Sequence, residues 1–232
     1  MQIKRIPIMI AVVTFLLGGS LLAYPTVSQW VNNHFQSTIC ADYSDTVAKL
    51  DDAAAQEELA KAEKYNDDLT EFVKLLEDPF MQSEELDIGD YNAILNATTD
   101  GVMAYLEIPS IDVMLPIYHG AENGELEKGI GHLPETSLPV GGESTHCVLA
   151  GHSGMSNARL FTDLPKLKQG DVFYIHVYNR TLTYTVDQIK TVLPTDTSDL
   201  NIVSWQYYLT LITCTHYGVN SHRLLVRGTR TE

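Results

Sequence analysis

Cysteine is scarce in this chain: there are three among 232 residues, at positions 40, 147 and 214, each in a different segment. An odd, scattered set excludes a disulfide framework. Basic residues are also few, 15 Lys plus Arg against 30 Asp plus Glu, for a net charge of −15. Binding phosphates needs clustered cations, so nucleic acid is excluded as a partner. No internal repeat or low-complexity tract is present. The histidines at 119, 132, 146, 176, 216 and 222 show no metal-ligand spacing with Cys or acidic partners, so no metal and no cofactor is expected.

What is there begins with an apolar run. Lys4 and Arg5 precede residues 6–24, which contain no charged side chain. Such a run is long enough to cross the ~30 Å hydrocarbon layer as a helix, and the positive flank keeps the N-terminus inside. It is long for a signal-peptide core, and Tyr24-Pro25 makes a poor cleavage pattern after Ala23, so an uncleaved signal anchor is expected. Residues 1–5 are then a cytoplasmic tail and everything from about Pro25 lies outside. The acidity is local: residues 41–100 hold 17 Asp plus Glu against 4 Lys, so −13 of the −15 belongs to that segment. Within it Leu59, Ala62, Tyr65, Leu69, Phe72 and Leu76 recur at steps of three and four, with Glu57, Glu58, Glu63, Lys64, Asp67, Asp68 and Glu71 between. That is an amphipathic helix with a solvated acidic face. It should stop near Glu77, because Pro79 disfavours helical geometry at Asp78. Asp78-Pro79-Phe80 then opens a polar loop through Asp90, and as chemistry the tripeptide reads as a turn with one aromatic packed down.

From about Gly101 the pattern changes to short strands, at 105–108, 113–118, 145–150, 172–178, 181–192, 207–213 and 223–227, with Pro and Gly clusters between them. Leu182, Tyr184 and Val186 alternate with Thr181, Thr183, Thr185 and Asp187, a half-buried strand. Asn179-Arg180 can turn the chain back onto 172–178. Repeated short strands suggest a closed antiparallel barrel, making the chain mainly β, with one domain's worth of core.

Thr210-Leu211-Ile212-Thr213-Cys214 is an uncharged run of strand type that ends at a cysteine. Arg223 opens the next strand-like run after a loop-like Tyr217-Gly218-Val219-Asn220-Ser221, and His152 sits upstream in Ala150-Gly151-His152-Ser153-Gly154. A thiol attacks a carbonyl as thiolate, which needs a base or cation beside it, and the oxyanion that forms needs a donor. Cys214, His152 and Arg223 can supply those roles, and two strands joined by the 215–222 loop could set Cys214 beside Arg223. From composition alone the usual fate of a free cysteine, a small buried hydrophobe, is the stronger reading, and it is the one adopted for Cys147.

Resemblance shifts the balance. Thr210-Leu211-Ile212-Thr213-Cys214 is similar to the TLxTC signature of the sortases, the Gram-positive transpeptidases. The similarity extends through residues 115–120, Gly151-His152, residues 157–164 and residues 217–228, and covers most of residues 98–230. Its last stretch is most like class C, the pilus-building sortases. The resemblance implies an eight-stranded sortase-type barrel over residues 98–232, with residues 157–164 helical and packed outside it. It implies that Cys214 is the nucleophile, His152 the proton carrier and Arg223 the substrate and oxyanion clamp. It further implies that residues 25–97 form an extracellular helical segment in which Asp78, Pro79 and Phe80 make a lid over the cysteine. Two positions depart from the family pattern: Ser153 stands where a basic residue is common, and His216 where proline is common. The second hydrophobic span that class C members commonly carry after the barrel is not found in this sequence.

The implied activity is cleavage of an LPxTG-type sorting signal through a thioacyl enzyme, resolved by an amine. For class C that amine is a pilin lysine, and the partners are pilins or surface proteins bearing the signal. The implied location is a single-pass membrane protein on the outer face of a Gram-positive cell. A housekeeping or class B-like sortase that attaches proteins to peptidoglycan is the alternative enzyme. A membrane-anchored adhesin or pilin is the non-enzymatic one, but it would not need Cys214, His152 and Arg223 together. Papain-type and caspase-type cysteine signatures are absent. Leu133-Pro134-Glu135-Thr136-Ser137 looks like a sorting signal itself, but it lies mid-chain and reads as chance.

Overall fold

The computed structural model of the chain describes residues 5–76, 91–98, 100–155, 157–215 and 221–231. Two helices come first, α1 (Arg5–Val47) and α2 (Asp52–Leu76). Eight strands follow: β1 (Val102–Ile108), β2 (Val113–His119), β3 (Ile130–His132), β4 (Thr145–Ala150), β5 (Val172–Val177), β6 (Arg180–Val192), β7 (Tyr207–Thr215) and β8 (His222–Arg230), with a short α3 (Asn123–Lys128) between β2 and β3. They close into one barrel in the order β1-β2-β3-β4-β7-β8-β6-β5. Phe173, Ile175, Leu182, Tyr184, Leu209, Leu211 and Val226 are among the side chains that fill it.

The barrel is mixed rather than antiparallel, a correction to the sequence expectation. β2 pairs with β3 in parallel and β4 pairs with β7 in parallel, with Ala150 opposite Ile212. The alternation of apolar residues marks a strand but carries no information on the direction of its neighbour. Three further corrections are local. β3 was not expected, since three residues around Gly131 are too short to show alternation. The β5–β6 turn is Tyr178-Asn179 rather than Asn179-Arg180, because Val177 pairs with Arg180 and Tyr178 takes the left-handed φ of 49°. Residues 157–164 are not a helix: they form turns, with Leu160 at φ 36°, and only Leu164–Lys166 coils into a 3-10 turn, with a proline in its first turn.

α1 does not stop at the end of the expected span but runs unbroken through Pro25. From residue 29 onward one side of it docks on the barrel. Gln36, Cys40, Tyr43 and Val47 are buried there, and the Tyr43 hydroxyl donates to the Met103 carbonyl at 2.8 Å while accepting the Tyr178 N–H at 3.0 Å. The chain then turns, and α2 lies across one end of the barrel. Leu59, Ala62, Tyr65 and Leu69 are buried, as the periodicity predicts, and Asn66 and Thr70 bind the loop before β4. Asp78, Pro79 and Phe80 lie outside the described residues.

The chain re-enters at Tyr91, whose hydroxyl meets Nδ1 of the buried His132 at 2.8 Å and accepts the Gly120 N–H at 3.1 Å. On its other side His132 Nε2–H donates to the Ser137 carbonyl at 2.9 Å, which fixes the neutral tautomer with Nδ1 as acceptor. Burial pushes the imidazole pKa down to about 4 from its ordinary 6.5. The unfolded chain therefore binds this proton first as pH falls. Stability should be full above about pH 6.5 and should decline toward pH 4, with a contribution on the order of 3 kcal/mol. Urea unfolding of the detergent-solubilised protein at pH 7.0 and 4.5 checks this, with His132→Gln expected to flatten the difference.

Candidate active site

Parallel pairing of β4 with β7 places the C-terminal ends of both strands at the same end of the barrel. His152 follows β4 by two residues and Cys214 lies near the end of β7, so an antiparallel pairing would have set them at opposite ends. Three hydrogen bonds lock the junction. The Gly151 N–H donates to the Ile212 carbonyl at 3.1 Å, the Thr213 hydroxyl donates to the Gly151 carbonyl at 2.6 Å, and the Ser153 hydroxyl donates to the Cys214 carbonyl at 2.7 Å. His152 is thus bracketed by two residues that are both tied to the last turn of β7's ladder. Its own carbonyl accepts the Phe161 N–H at 3.0 Å, so the 157–164 turns brace the loop from outside. Gly151 is required by closeness: a Cβ there would stand 2.6 Å from the Phe161 ring and 3.0 Å from Ile130.

On the other flank β8 pairs with β7 antiparallel, with Cys214 directly opposite Arg223. Residues so paired share one face of the sheet, which brings a thiol and a guanidinium to the same side. Leu209, Leu211 and Thr213 point into the core, so Cys214 and Arg223 belong to the outer face at the barrel's end. The arginines of β8 differ in use. Arg227 is held by Asp187 at 2.6 and 3.1 Å and lies 4.1 Å over the Tyr208 ring, a structural arrangement. Arg223, with Nη1 donating to the His222 carbonyl at 3.2 Å, is the one paired across the ladder from Cys214.

The three cysteines separate by environment. Cys40 and Cys147 are buried, and desolvation pushes the Cys40 thiol up to about 12 and raises that of Cys147, so both are held as neutral thiols. Cys214 alone is partly exposed. Cys147 was read from the sequence as core, and that is where it lies. Among the described residues no group of three His, Cys, Asp or Glu could hold a metal ion.

Sequence reasoning missed the role of Ser153, which it registered only as a departure from pattern. Its partner is a carbonyl sixty-one positions away, and no local signal announces such a bond. Ser153→Ala should leave the fold intact but let the His152 loop drift, lowering kcat several-fold with little change in KM. Steady-state kinetics on a peptide substrate, with Ser153→Thr as a rescue, checks this. Leu133-Pro134-Glu135-Thr136-Ser137 is a folded turn: the Thr136 N–H and hydroxyl both donate to the Leu133 carbonyl, and Ser137 is buried. The second departure, His216, lies outside the described residues.

A closed barrel that carries a partly exposed thiol, an imidazole loop and an arginine at one end has the parts of a cysteine-dependent acyl-transfer enzyme. The Sortase domain family matches residues 106–231. The chain belongs to the sortase family, whose members are cysteine transpeptidases. Solved class C relatives are similar over most of both chains. Sortase C1 from Streptococcus agalactiae is 43% identical with a TM-score of 0.74, covering 84% of this chain and 98% of that one. A lid mutant of a Streptococcus agalactiae sortase C1 is 39% identical, covering 81% and 94%, with a TM-score of 0.73. Sortase C from Clostridium perfringens, solved with the C-terminal cell wall sorting motif, is 43% identical, covering 84% and 99%, with a TM-score of 0.72. Among curated relatives, sortase A of Bacillus anthracis is 26% identical over 230 residues, covering 98% of this chain and 96% of its own.

Proposed function

We propose that this chain is a class C-type sortase that cleaves an LPxTG-type sorting signal at Cys214 and transfers the threonine acyl group to a pilin lysine. The observation that carries the site is the junction of β4, β7 and β8, where Cys214 is paired with Arg223 and His152 is bracketed by Gly151 and Ser153. The Cys214 thiolate attacks the threonine carbonyl, the oxyanion is held by the Arg223 guanidinium, and His152 gives its proton to the leaving glycine amine. The carbon–nitrogen bond breaks and a thioester remains on Cys214. The incoming lysine amine gives up a proton to His152 and attacks that thioester, and the thiolate leaves. Residues 6–24 are read as a membrane anchor with residues 25–232 outside, 25–97 as the helical segment and 98–232 as the catalytic barrel. Consistent with that anchor, one helix among the described residues is long and apolar enough to cross a membrane.

The test is to incubate the protein with a sorting-signal peptide and search for a thioacyl adduct by mass spectrometry, then to add a pilin lysine peptide or a peptidoglycan-precursor amine. An adduct on Cys214 that the lysine peptide resolves supports the reading. Resolution by the precursor amine alone would favour the housekeeping alternative, and no adduct on Cys214 would reject both.

Asp78, Pro79 and Phe80 are proposed as the lid over Cys214, a reading supported by the lid named for the streptococcal relative. The chain is long enough. Thr70 is tied beside Ser144, and β4 carries the register from there to the Cys214 end over roughly 20 Å, a span that ten residues can cover even when partly helical. Replacing Asp78 and Phe80 by Ala should speed labelling of Cys214 by a thiol reagent about tenfold or more, since apparent reactivity scales with the open fraction. Cys40→Ala and Cys147→Ala in the background leave Cys214 as the reporter. Equal labelling rates would reduce the tripeptide to a helix-ending turn.

A further inference from the structure

Uncharged sequence continues past the expected span: no Asp, Glu, Lys or Arg occurs from residue 6 to residue 41. At 1.5 Å per residue that helical run is about 54 Å long, against a bilayer of ~40–45 Å with its headgroups. The surplus is docked helix. Where one side of α1 packs on the barrel, the other side presents Val27, Trp30, Val31 and Phe35, spaced by three and four as one stripe. Trp30 is 70% and Phe35 62% exposed. Farther along the same face come Thr38, Asp42 and Asp45, so the apolar stripe ends where the acidic sequence begins.

The topology shows which end of the barrel lies near this stripe. Asn32 donates to the Asn157 carbonyl at 2.5 Å, Gln36 to the Lys128 carbonyl at 3.3 Å and Tyr43 to the Met103 carbonyl at 2.8 Å. Asn157 belongs to the loops after β4, the end that carries Cys214, whereas Met103 lies at the opposite end of β1. α1 therefore passes the Cys214 end first as it leaves the apolar span. Val27 and Val31, at the edge of the stripe, also border a groove with Ser20, Tyr24, Asn32 and Asn157, so the loop following His152 reaches the start of the stripe. The acid-rich α2 crosses the far end, away from phosphate headgroups that would repel it.

We propose that the stripe Val27, Trp30, Val31 and Phe35 is a lipid-interface contact that holds the Cys214 end of the barrel against the membrane surface. This rests on the reading of residues 6–24 as an anchor. Aromatic side chains favour that layer, and Pro25, at the boundary, lets the helix lean so that the stripe lies along it. A site held at the lipid surface would meet any peptide tethered in the same bilayer in two dimensions at raised effective concentration.

The test uses the full chain in phosphatidylglycerol–phosphatidylcholine vesicles, with Trp205→Phe so that Trp30 is the reporting tryptophan. Lipids brominated near the headgroup end of the acyl chain should quench Trp30 at least twofold, and aqueous acrylamide should quench it weakly. Free quenching by acrylamide with none by bromine overturns the proposal. So does protection from both, which assigns the stripe to a protein partner or a second copy. For orientation, a fluorophore at Asp112→Cys, beside β2 at the Cys214 end, is compared with one at Asp51→Cys in the α1–α2 turn, both with Cys214→Ala. A headgroup-borne quencher should act several-fold more on the first, and an equal or reversed effect overturns the orientation. Neither readout involves turnover, so failure of the Cys214 chemistry would leave both standing. Trp30→Ser with Phe35→Ser should cleave a soluble signal peptide normally and a vesicle-anchored one about tenfold more slowly; equal rates on both substrates would overturn the tethered-substrate step.

Discussion

Cys214→Ala is expected to abolish cleavage of a sorting-signal peptide and transfer to an amine together, a loss of several orders of magnitude, while the barrel stays folded. The side chain is partly exposed at the end of β7, and Leu209, Leu211 and Thr213, on the opposite face, do the packing. Exchanging a thiol for a methyl there removes little buried area and no hydrogen bond that the ladder needs, because the Cys214 carbonyl still accepts from Ser153. The nucleophile has no substitute, since Cys40 and Cys147 are buried and protonated. Unchanged circular dichroism with no thioacyl adduct by mass spectrometry is the expected pair of results. Residual transpeptidation above about 1% of the wild-type rate would mean that another group performs the attack.

Arg223→Lys is expected to fall by roughly 100-fold in kcat/KM, near the loss of one oxyanion donor, although the charge is kept. A guanidinium offers a rigid planar fork to an oxyanion, and an ammonium offers one strongly hydrated point charge. The register opposite Cys214 puts that fork on the thiol's side of the sheet, and a shorter-reaching head on a flexible stem cannot reproduce the position. Arg227→Lys provides the contrast: its loss should appear as lowered thermal stability, because Asp187 and Tyr208 hold that side chain. Near wild-type turnover of Arg223→Lys would assign Arg223 a structural part as well.

Most of the barrel was legible because its strands are long enough to alternate, as Leu182, Tyr184 and Val186 do. β3 was not, and neither was the parallel direction of β4 and β7. Direction is set by connections and long-range pairing, which period-two patterning cannot encode. The continuation of α1 through Pro25 was hidden for a related reason. Proline removes one helical hydrogen bond, and the sequence does not show that docking of Gln36, Cys40 and Tyr43 on the barrel holds the next turns in line. Cys214, His152 and Arg223 were singled out by chemistry and family likeness, and the ladder sets Cys214 opposite Arg223. The Ser153 bond and the Gly151 close approach belong to contacts formed only after folding.

The parallel pairing of β4 with β7 has a consequence for how such an enzyme can change. The distance between residues 152 and 214 is set by a hydrogen-bond ladder that begins at Thr145 and Tyr207, not by the chain that joins them. That chain contains two loops, 157–171 and 193–206, on either side of the β5–β6 hairpin. Lengthening or exchanging the second loop reshapes the surroundings of the thiol without altering its spacing from the imidazole, whereas the first can vary only outside the turns that brace His152 through Phe161. Heritable variation in what is recognised is thereby uncoupled from the chemistry performed, and one ruler of paired strands can serve many different peptides.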